Sequence, residues 1–109
     1  MSRKIIIYQL NKDIPENRKI IFMPYRHAVE SGIDLIEHFD SLYDKIYETV
    51  IDNSGDDMAV LDAIFAEYNR KPPEDFKGHS ISMSDVISIA GRKYYCDAIG
   101  WKALMKESE

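Results

Sequence analysis

Residues 78–101 read GHSISMSDVISIAGRKYYCDAIGW and hold more positional signals than any other part of the chain. Polar turn-forming residues come first and β-branched apolar ones follow, which indicates an ordered loop and then a buried strand from Val86. Gly91-Arg92 predicts a two-residue hairpin turn, because a type II′ turn requires glycine at its first position. Residues 93–97 are expected to pair back as the next strand. The stretch therefore predicts a β-hairpin preceded by a polar loop.

The bulk composition predicts one domain over residues 1–109. The chain is 45% apolar and 30% charged, and Cys96 is its only cysteine, so no internal disulfide can form. No apolar run approaches the ~18 residues of a membrane-spanning helix, and the run after Met1 is too short for a signal peptide. We expect a cytoplasmic localisation without membrane association. Cys96 is expected to pack in a strand rather than act as a nucleophile.

The net charge of −5 argues against direct binding of nucleic acid, which requires clustered lysines and arginines. No glycine-rich phosphate loop or dinucleotide fingerprint is present in the sequence. The sequence therefore predicts no direct nucleic-acid partner and no cofactor. The basic residues occur instead as scattered pairs: Arg3-Lys4, Arg18-Lys19, Arg70-Lys71 and Arg92-Lys93.

The first third of the chain predicts two strands and a short helix. Residues 4–10 and 18–23 are rich in β-branched and aromatic side chains, and the turn formers between them favour an antiparallel hairpin. Pro24 suits a helix start and Gly32 suits the position just after a helix end. We therefore expect a short helix over residues 25–31.

The main helix is predicted over residues 57–69. Asp56 is a suitable N-cap, and the proline pair at 72–73 forbids continuation. The apolar stripe that follows the cap is typical of core packing rather than of a cofactor or partner groove. After the helix, Phe76 is expected to return to the core. The stripe consists of Met58, Leu61, Ile64, Phe65 and Tyr68.

Residues 33–50 leave two structures open. Their apolar residues fit connecting turns followed by a strand from Tyr43, and they fit one continuous helix equally well. With the strand, the pattern predicts an α+β fold. That fold is a small, mostly antiparallel sheet of about five strands, with the main helix over 57–69 and the short helix over 25–31.

Histidine, serine and aspartate are concentrated at the start of the 78–101 stretch. A small hydrolase would pair His79 with Asp85 or Asp97 and use a nearby hydroxyl. No Gly-x-Ser-x-Gly turn or other nucleophile motif accompanies them, so we favour the alternative in which these side chains hold the loop through backbone hydrogen bonds. The other two histidines, His27 and His38, are distant in sequence, and no metal site is predicted.

Aromatic residues are abundant for this length, and exposed tyrosine and tryptophan are typical interface anchors. A protein-binding face is therefore the sharpest hypothesis that the composition supports, and no catalytic residue is assigned. The candidate binding residues are His79, Ser80, Ser82, Ser84, Asp85, Tyr94, Tyr95, Asp97 and Trp101.

The motif GHSISMSDVI at residues 78–87 resembles the YodL-like domain family, which carries Gly-His-Ser, a hydrophobic residue and then Ser-x-Ser-Asp-Val. The similarity continues in IYQL (7–10), IIF (20–22), the helix at 61–69, PEDFKGHS (73–80) and YYCDAIGW (94–101). Ala98 and Trp101 replace the serine and phenylalanine that are usual in the family. The resemblance favours the strand over residues 43–50.

The resemblance implies a domain of bacterial phages, conjugative elements and other mobile elements, with no established enzymatic activity. It implies a non-enzymatic interaction domain that binds and modulates a bacterial host protein, as an anti-defence or host-takeover accessory. Two alternatives stay open: a regulator of the cell-shape cytoskeleton that antagonises the actin MreB, and a small hydrolase or nucleic-acid-processing enzyme that uses His79. Homo-oligomer formation also stays open.

Overall fold

The computed structural model describes residues 2–52 and 55–105, and its centre is a five-stranded antiparallel sheet. The spatial order of the strands is β2-β1-β3-β4-β5, so the hairpin of the 78–101 stretch supplies the middle of the sheet. The predicted α+β class, the main helix and the short helix are confirmed. The strands are β1 (Ser2–Leu10), β2 (Tyr43–Asp52), β3 (Val86–Ile89), β4 (Arg92–Cys96) and β5 (Trp101–Ala103). The helices are a 3₁₀ helix (Pro15–Lys19), α1 (Tyr25–Glu30), α2 (Phe39–Leu42) and α3 (Asp57–Arg70).

Residues 18–23 do not form a strand, so the predicted first hairpin is wrong. Strand β1 pairs with β2 on one side and β3 on the other, and it has no free edge for these residues. The segment begins instead with the 3₁₀ helix, in which Pro15 suits the first turn. Further along, Phe22 has a φ of 64°, a left-handed conformation that a regular strand does not contain. Backbone geometry and the lack of a pairing partner thus outweigh β propensity here.

Residues 33–50 contain a strand rather than one continuous helix. Helix α2 is a single turn that ends at Leu42, and Tyr43 is already in extended backbone. Strand β2 then pairs with β1 from Leu10↔Tyr43 to Ser2↔Asp52, with one register shift between Ile7 and Tyr8. Strand β1 offers a nine-residue pairing partner on the side that β3 leaves free, and this pairing decides between the two structures that the sequence left open.

Both faces of the sheet are covered, which gives three layers. Strand β3 is buried along its whole length because it lies at the centre of the sheet under both covers. On the α3 face the core consists of Ile5, Ile7, Val60, Leu61, Ile64, Ile81, Ile87, Ile89 and Tyr94. On the opposite face, covered by the 3₁₀ segment, α1 and α2, it consists of Leu10, Ile20, Ala28, Leu35, Phe39, Leu42, Tyr43, Val86, Tyr95 and Leu104.

Helix α3 begins and ends where the sequence predicts. The Asp56 side chain accepts a hydrogen bond from the backbone N–H of Ala59, which satisfies one of the free donors of the first turn. The predicted apolar stripe is only partly right, because Met58 and Phe65 lie at the rim with exposures of 44% and 38%. Phe76 returns to the core as predicted and contacts the rings of Tyr47 and Tyr68 edge to face.

The turn between β3 and β4 lies one residue earlier than predicted. Ile89 pairs with Arg92, so Ala90 and Gly91 are the central residues, and both have positive φ (50° and 87°). Two left-handed residues in succession correspond to a type I′ turn rather than type II′. The backbone N–H of Ala90 donates to the carbonyl of Lys4 on the neighbouring strand. Arg92 is consequently a strand residue.

Strand β5 was not predicted as a strand. Leu104, directly after this strand, is buried, whereas Met105 is 68% exposed. The described residues contain no helix that combines the length and apolar character needed to cross a membrane.

Candidate functional site

The signature loop, defined here as residues 78–85, connects the region after α3 to strand β3 and is fastened from two sides. A Cβ on Gly78 would lie 2.4 Å from Oε1 of Gln9, so packing against β1 requires glycine at the first motif position. Asn69, near the end of α3, donates to the carbonyl of Ile81 at 2.9 Å and accepts from its N–H at 2.8 Å. The loop is therefore an ordered part of the structure.

Asp85 is the buried polar centre of this loop. Its side chain is enclosed, and Oδ2 accepts hydrogen bonds from the Gln9 amide at 3.1 Å and from the Ser82 N–H at 2.9 Å. Burial raises the pKa of Asp85 to about 7, although both hydrogen bonds and the charge of Lys12 act in the opposite direction. At neutral pH this carboxyl is therefore close to the midpoint between its protonated and ionised forms.

His79 faces Asp85 with a ring nitrogen that has no other partner. Its Nδ1 lies 2.7 Å from the carbonyl oxygen of Ser80, which can only accept, and 3.2 Å from Nε2 of Gln9, which can only donate. The two protons of Gln9 Nε2 are already donated to the His79 carbonyl and to Asp85, so we assign a proton to Nδ1 that it donates to Ser80. In the neutral ring Nε2 is then an acceptor. It lies 3.8 Å from Oδ1 of Asp85, and both atoms are buried without a hydrogen-bond partner among the described residues.

The geometry of His79 and Asp85 favours one proton held between them. Two unpaired acceptors facing each other in a buried site would repel, whereas a proton on either atom makes them donor and acceptor. A movement of about 1 Å would bring the two atoms to hydrogen-bond distance. The pair has no net charge whichever atom holds the proton. His79 and Asp85 are thus suited to tie the loop together.

Two serines of the loop, Ser82 and Ser84, hold it through their hydroxyls, whereas Ser80 is exposed and contributes its carbonyl. The Ser82 hydroxyl donates to the carbonyl of Ser80 at 2.9 Å, and the buried Ser84 hydroxyl accepts from the backbone N–H of Phe22 at 3.0 Å. Both ring nitrogens of His79 face other atoms, namely the Ser80 carbonyl and Asp85. The described residues thus contain no serine–histidine hydrogen bond that would mark an activated nucleophile.

Three residues of this site were not identified from the sequence: Gln9, Phe22 and Tyr43. The Phe22 ring packs edge to face on His79 with a centroid distance of 5.3 Å, and the Tyr43 hydroxyl donates to the carbonyl of Ser84 at 2.7 Å. These contacts join positions far apart in the chain, so no local pattern indicates them. One sequence signal could have pointed to two of these residues. Gln9 and Phe22 lie in the segments at 7–10 and 20–22, which resemble the family.

The remaining candidate residues lie on β4, β5 and the turn between them, where they fasten the helices. The Tyr95 hydroxyl donates to the carbonyl of Met23 at 2.6 Å, and Asp97 accepts from the N–H of Tyr25 at 3.1 Å, so both hold the start of α1. Asp97 therefore does not pair with His79. The indole N–H of Trp101 donates to Asp62 on α3 at 3.2 Å.

Tyr94 belongs to a charged clamp at the start of α3, made of Asp57, Arg92 and Tyr94. Arg92 donates two hydrogen bonds to the Asp57 carboxylate at 2.7 and 2.9 Å, and the Tyr94 hydroxyl donates a third. The Arg3 guanidinium lies 3.7 Å away. Chiefly because of the bonds from Arg92, the pKa of Asp57 falls to about 2.

An exposed apolar patch, defined by Phe65, Ile99 and Trp101, lies where α3 meets the β4–β5 turn. Ile99 is 95% exposed, and the rings of Phe65 and Trp101 contact each other edge to face at 6.2 Å. A shallow cavity of about 200 Å³ at this turn is lined by both rings, by Asp62 and Asp97, and by Ala98 and Gly100, the two neighbours of Ile99 in the chain. Neither carboxylate forms an ion pair within the described part of the chain.

Within residues 2–52 and 55–105 no group of three or more histidine, cysteine, aspartate or glutamate side chains could hold a metal ion. Cys96 is buried as predicted, and burial raises the pKa of its thiol to about 11. The thiol is therefore protonated at neutral pH and unsuited to nucleophilic attack.

The chain belongs to the YodL-like domain family, whose sequence model matches residues 4–106. No curated protein and no solved structure matches it significantly. The match covers the signature loop, all five strands and the main helix.

Proposed function

We propose that the chain is a non-enzymatic protein-interaction domain of a bacterial mobile element or phage, which binds and modulates a host protein as an anti-defence or host-takeover accessory. The observation that supports this function best is the apolar patch. Ile99 is 95% exposed, at the tip of a turn whose two sides are strands of the sheet. Single exposed aliphatic residues are ordinary, but an aliphatic tip beside an aromatic pair is typical of interface anchors.

The chemistry around the patch indicates the kind of partner. Asp62 and Asp97 line the cavity at the β4–β5 turn, and the chain carries a net charge of −5. A complementary surface would offer an apolar pocket for Ile99 with lysine or arginine residues at its rim. Opposite charges at such a rim raise the association rate and select among partners.

The enzymatic alternative has less support, because the side chains it needs are occupied. Asp85 is fully buried, Ser84 is fully buried, and His79 is directed at Asp85 and at a backbone carbonyl. Hydrolysis would require a hydroxyl within hydrogen-bond reach of a free imidazole nitrogen. An MreB antagonist would be one case of the proposed function, since it also acts by binding a host protein.

The proposed function is tested with Ile99→Asp and a matched control, Val50→Asp. Val50 is also an exposed aliphatic residue, at 63%, but it lies on β2 at the opposite edge of the sheet. Tagged variants are purified from a bacterial host, proteins enriched by the unsubstituted chain are identified, and the best-enriched one is expressed and its Kd measured. Truncating an interface anchor costs more than 1 kcal/mol, so we expect Ile99→Asp to raise Kd at least about tenfold and Val50→Asp to leave it unchanged.

Thermal unfolding of both variants serves as the folding control. Equal weakening by the two substitutions, or unchanged binding by a folded Ile99→Asp variant, would remove the patch as the interface. Detectable hydrolysis that disappears in His79→Ala would support the enzymatic alternative instead.

A further inference from the structure

A second and larger cavity, of about 460 Å³, lies between the end of β1 and the segment that follows the 3₁₀ helix. Its volume is within the range of small-molecule sites. It shares no lining residue with the apolar patch, and the proposed function does not use it. The lining residues are Lys12, Asp13, Asn17, Arg18, Ile21 and Phe22.

Asn17 forms a rigid part of the wall of this cavity. The residue is fully buried, and its Nδ2 donates to the carbonyls of Asn11 and Leu42, both at 2.9 Å. These two bonds fix the side chain between the end of β1 and the end of α2. The wall beneath Lys12 and Arg18 is therefore preformed.

Two cations give the cavity an affinity for anions. Lys12 and Arg18 are exposed, and neither forms an ion pair within the described ranges. Arg18 keeps its position through Nε, which lies 3.4 Å from the Lys12 carbonyl. Asp13 is the one carboxylate among the lining residues, so cations outnumber anions there. Arginine and lysine together are typical ligands of a phosphate group.

Phe22 supplies a flat apolar wall. It is 48% exposed, yet it is held by its N–H bond to Ser84 and by the contact of its ring with His79. An exposed aromatic ring that is fixed in this way is suited to stack on another ring. Ile21 extends the apolar surface on the same stretch of chain.

We propose that this cavity binds a mononucleotide. Its phosphate would bind Lys12 and Arg18, a ribose hydroxyl would donate to Asp13, and the base would stack on Phe22. Carboxylates commonly accept hydrogen bonds from ribose hydroxyls in nucleotide sites. Inorganic phosphate alone would leave Asp13 and the apolar wall unused, and a nucleoside would leave the cations unused. Two cations suffice for one phosphate but not for a nucleic-acid strand.

The site connects to the signature loop through Phe22. Because its ring touches His79, a base stacked on Phe22 changes the magnetic environment of the His79 ring. The family motif would thus position one wall of the nucleotide site. The connection gives the proposal a readout that is independent of host-protein binding.

The experiment is a ¹H–¹⁵N NMR titration of the full chain with AMP, GMP, CMP and UMP, with adenosine and inorganic phosphate as partial ligands. We expect saturable shifts of the Asn17 side-chain amide and of the Phe22 and His79 signals with at least one mononucleotide. Arg18→Ala should raise the Kd about tenfold, as expected for loss of a charge-assisted hydrogen bond. Lys19→Ala, which removes an exposed cation of the same helix that does not line the cavity, should leave it unchanged.

Three outcomes would overturn the proposal: no saturable shift with any of the four mononucleotides, a Kd that folded Arg18→Ala leaves unchanged, or adenosine or phosphate binding as tightly as the mononucleotide. If Arg18→Ala does not fold, Lys12→Ala takes its place under the same criteria. Binding of the host protein to the apolar patch is measured separately with Ile99→Asp, so either proposal can fail alone.

Discussion

Asp57 and Asp85 both lie beside the β3–β4 hairpin, and the fold uses their carboxyls in opposite ways. Asp57 is at the rim of the sheet, where Arg92 and Tyr94 donate to it and its pKa falls to about 2. Asp85 is enclosed at the other end of the hairpin, where burial dominates and its pKa rises to about 7. The first carboxyl stabilises the fold as an anion, whereas burial favours the protonated form of the second.

Residue types alone do not assign a role. Histidine, serines and aspartate within seven residues suggest catalysis, yet Ser82, Ser84 and Asp85 are engaged in hydrogen bonds with the backbone of this fold. The charged clamp around Asp57, in contrast, is not evident in the sequence because Asp57 lies 35 and 37 residues before Arg92 and Tyr94. Aspartate thus forms a surface ion pair at position 57 and accepts the buried hydrogen bonds of a loop at position 85.

The largest expected effect comes from removing the Asp85 carboxyl. Asp85→Ala leaves the Gln9 amide, the Ser82 N–H and the His79 ring without their buried partner, so we expect a loss of about 3 kcal/mol in the free energy of unfolding. In Asp85→Asn the oxygen still accepts both hydrogen bonds and the amide donates to Nε2 of His79, so the loss should be below about 1 kcal/mol. Urea unfolding at pH 7 measures both. Equal losses would show that the carboxyl holds the loop as an anion.

The pH dependence of stability should have opposite signs for the two carboxyls. Between about pH 4 and 7 the folded protein binds more protons than the unfolded chain at Asp85, so stability declines as pH rises, by at most about 1.4 kcal/mol per unit. Between about pH 4 and 2 the unfolded chain binds more protons at Asp57, so stability declines as pH falls. The ionisable groups that face Asp85 are His79 in the loop, Lys12 after β1, Tyr43 on β2, and Tyr95 and Cys96 on β4.

Unfolding measured from pH 2 to 8 checks these signs, with Asp85→Asn as the matched variant. The decline between pH 4 and 7 should become much smaller in Asp85→Asn, while the decline below pH 4 should persist. A stability that rises from pH 4 to 7 in the unsubstituted chain would contradict the assignment of Asp85.

The smallest of these effects is expected at the clamp. Asp57→Ala removes the acceptor of Arg92 and Tyr94, but both the carboxylate and the guanidinium are in contact with solvent, so the loss should be about 1 kcal/mol. Thermal unfolding in low and high salt measures it, and salt should reduce the difference between the variant and the unsubstituted chain. A loss as large as that of Asp85→Ala would reverse the ranking of the two sites.

Local patterns in the sequence sufficed for much of the fold. Strand β1, helix α1, helix α3 with its Asp56 cap, and the β3–β4 hairpin all follow from propensity, spacing and turn residues. The prediction of a strand over residues 18–23 was wrong, because β propensity indicates that a segment suits a strand but not whether a neighbouring strand has a free edge to pair with it. The turn was misplaced by one residue because the pairing of Ile89 with Arg92, and not glycine alone, sets its position.

The sequence predicted only some of the residues of the site. The motif identified the signature loop, and the preference for a structural role of its serines agrees with their hydrogen bonds. Gln9, Phe22 and Tyr43 were missed because they reach the loop across the sheet, and such contacts depend on strand order. The strand order places β2 and β3 on either side of β1, and no local pattern in the sequence specifies this order.

We infer that the enclosed Asp85 carboxyl shares a proton with His79 and so holds the signature loop in place. A ¹³C NMR titration of the Asp85 side-chain carboxyl, assigned by comparison with Asp85→Asn, tests this inference directly. We expect a midpoint near pH 7. A midpoint near pH 4, the ordinary value for an exposed aspartate, would contradict it.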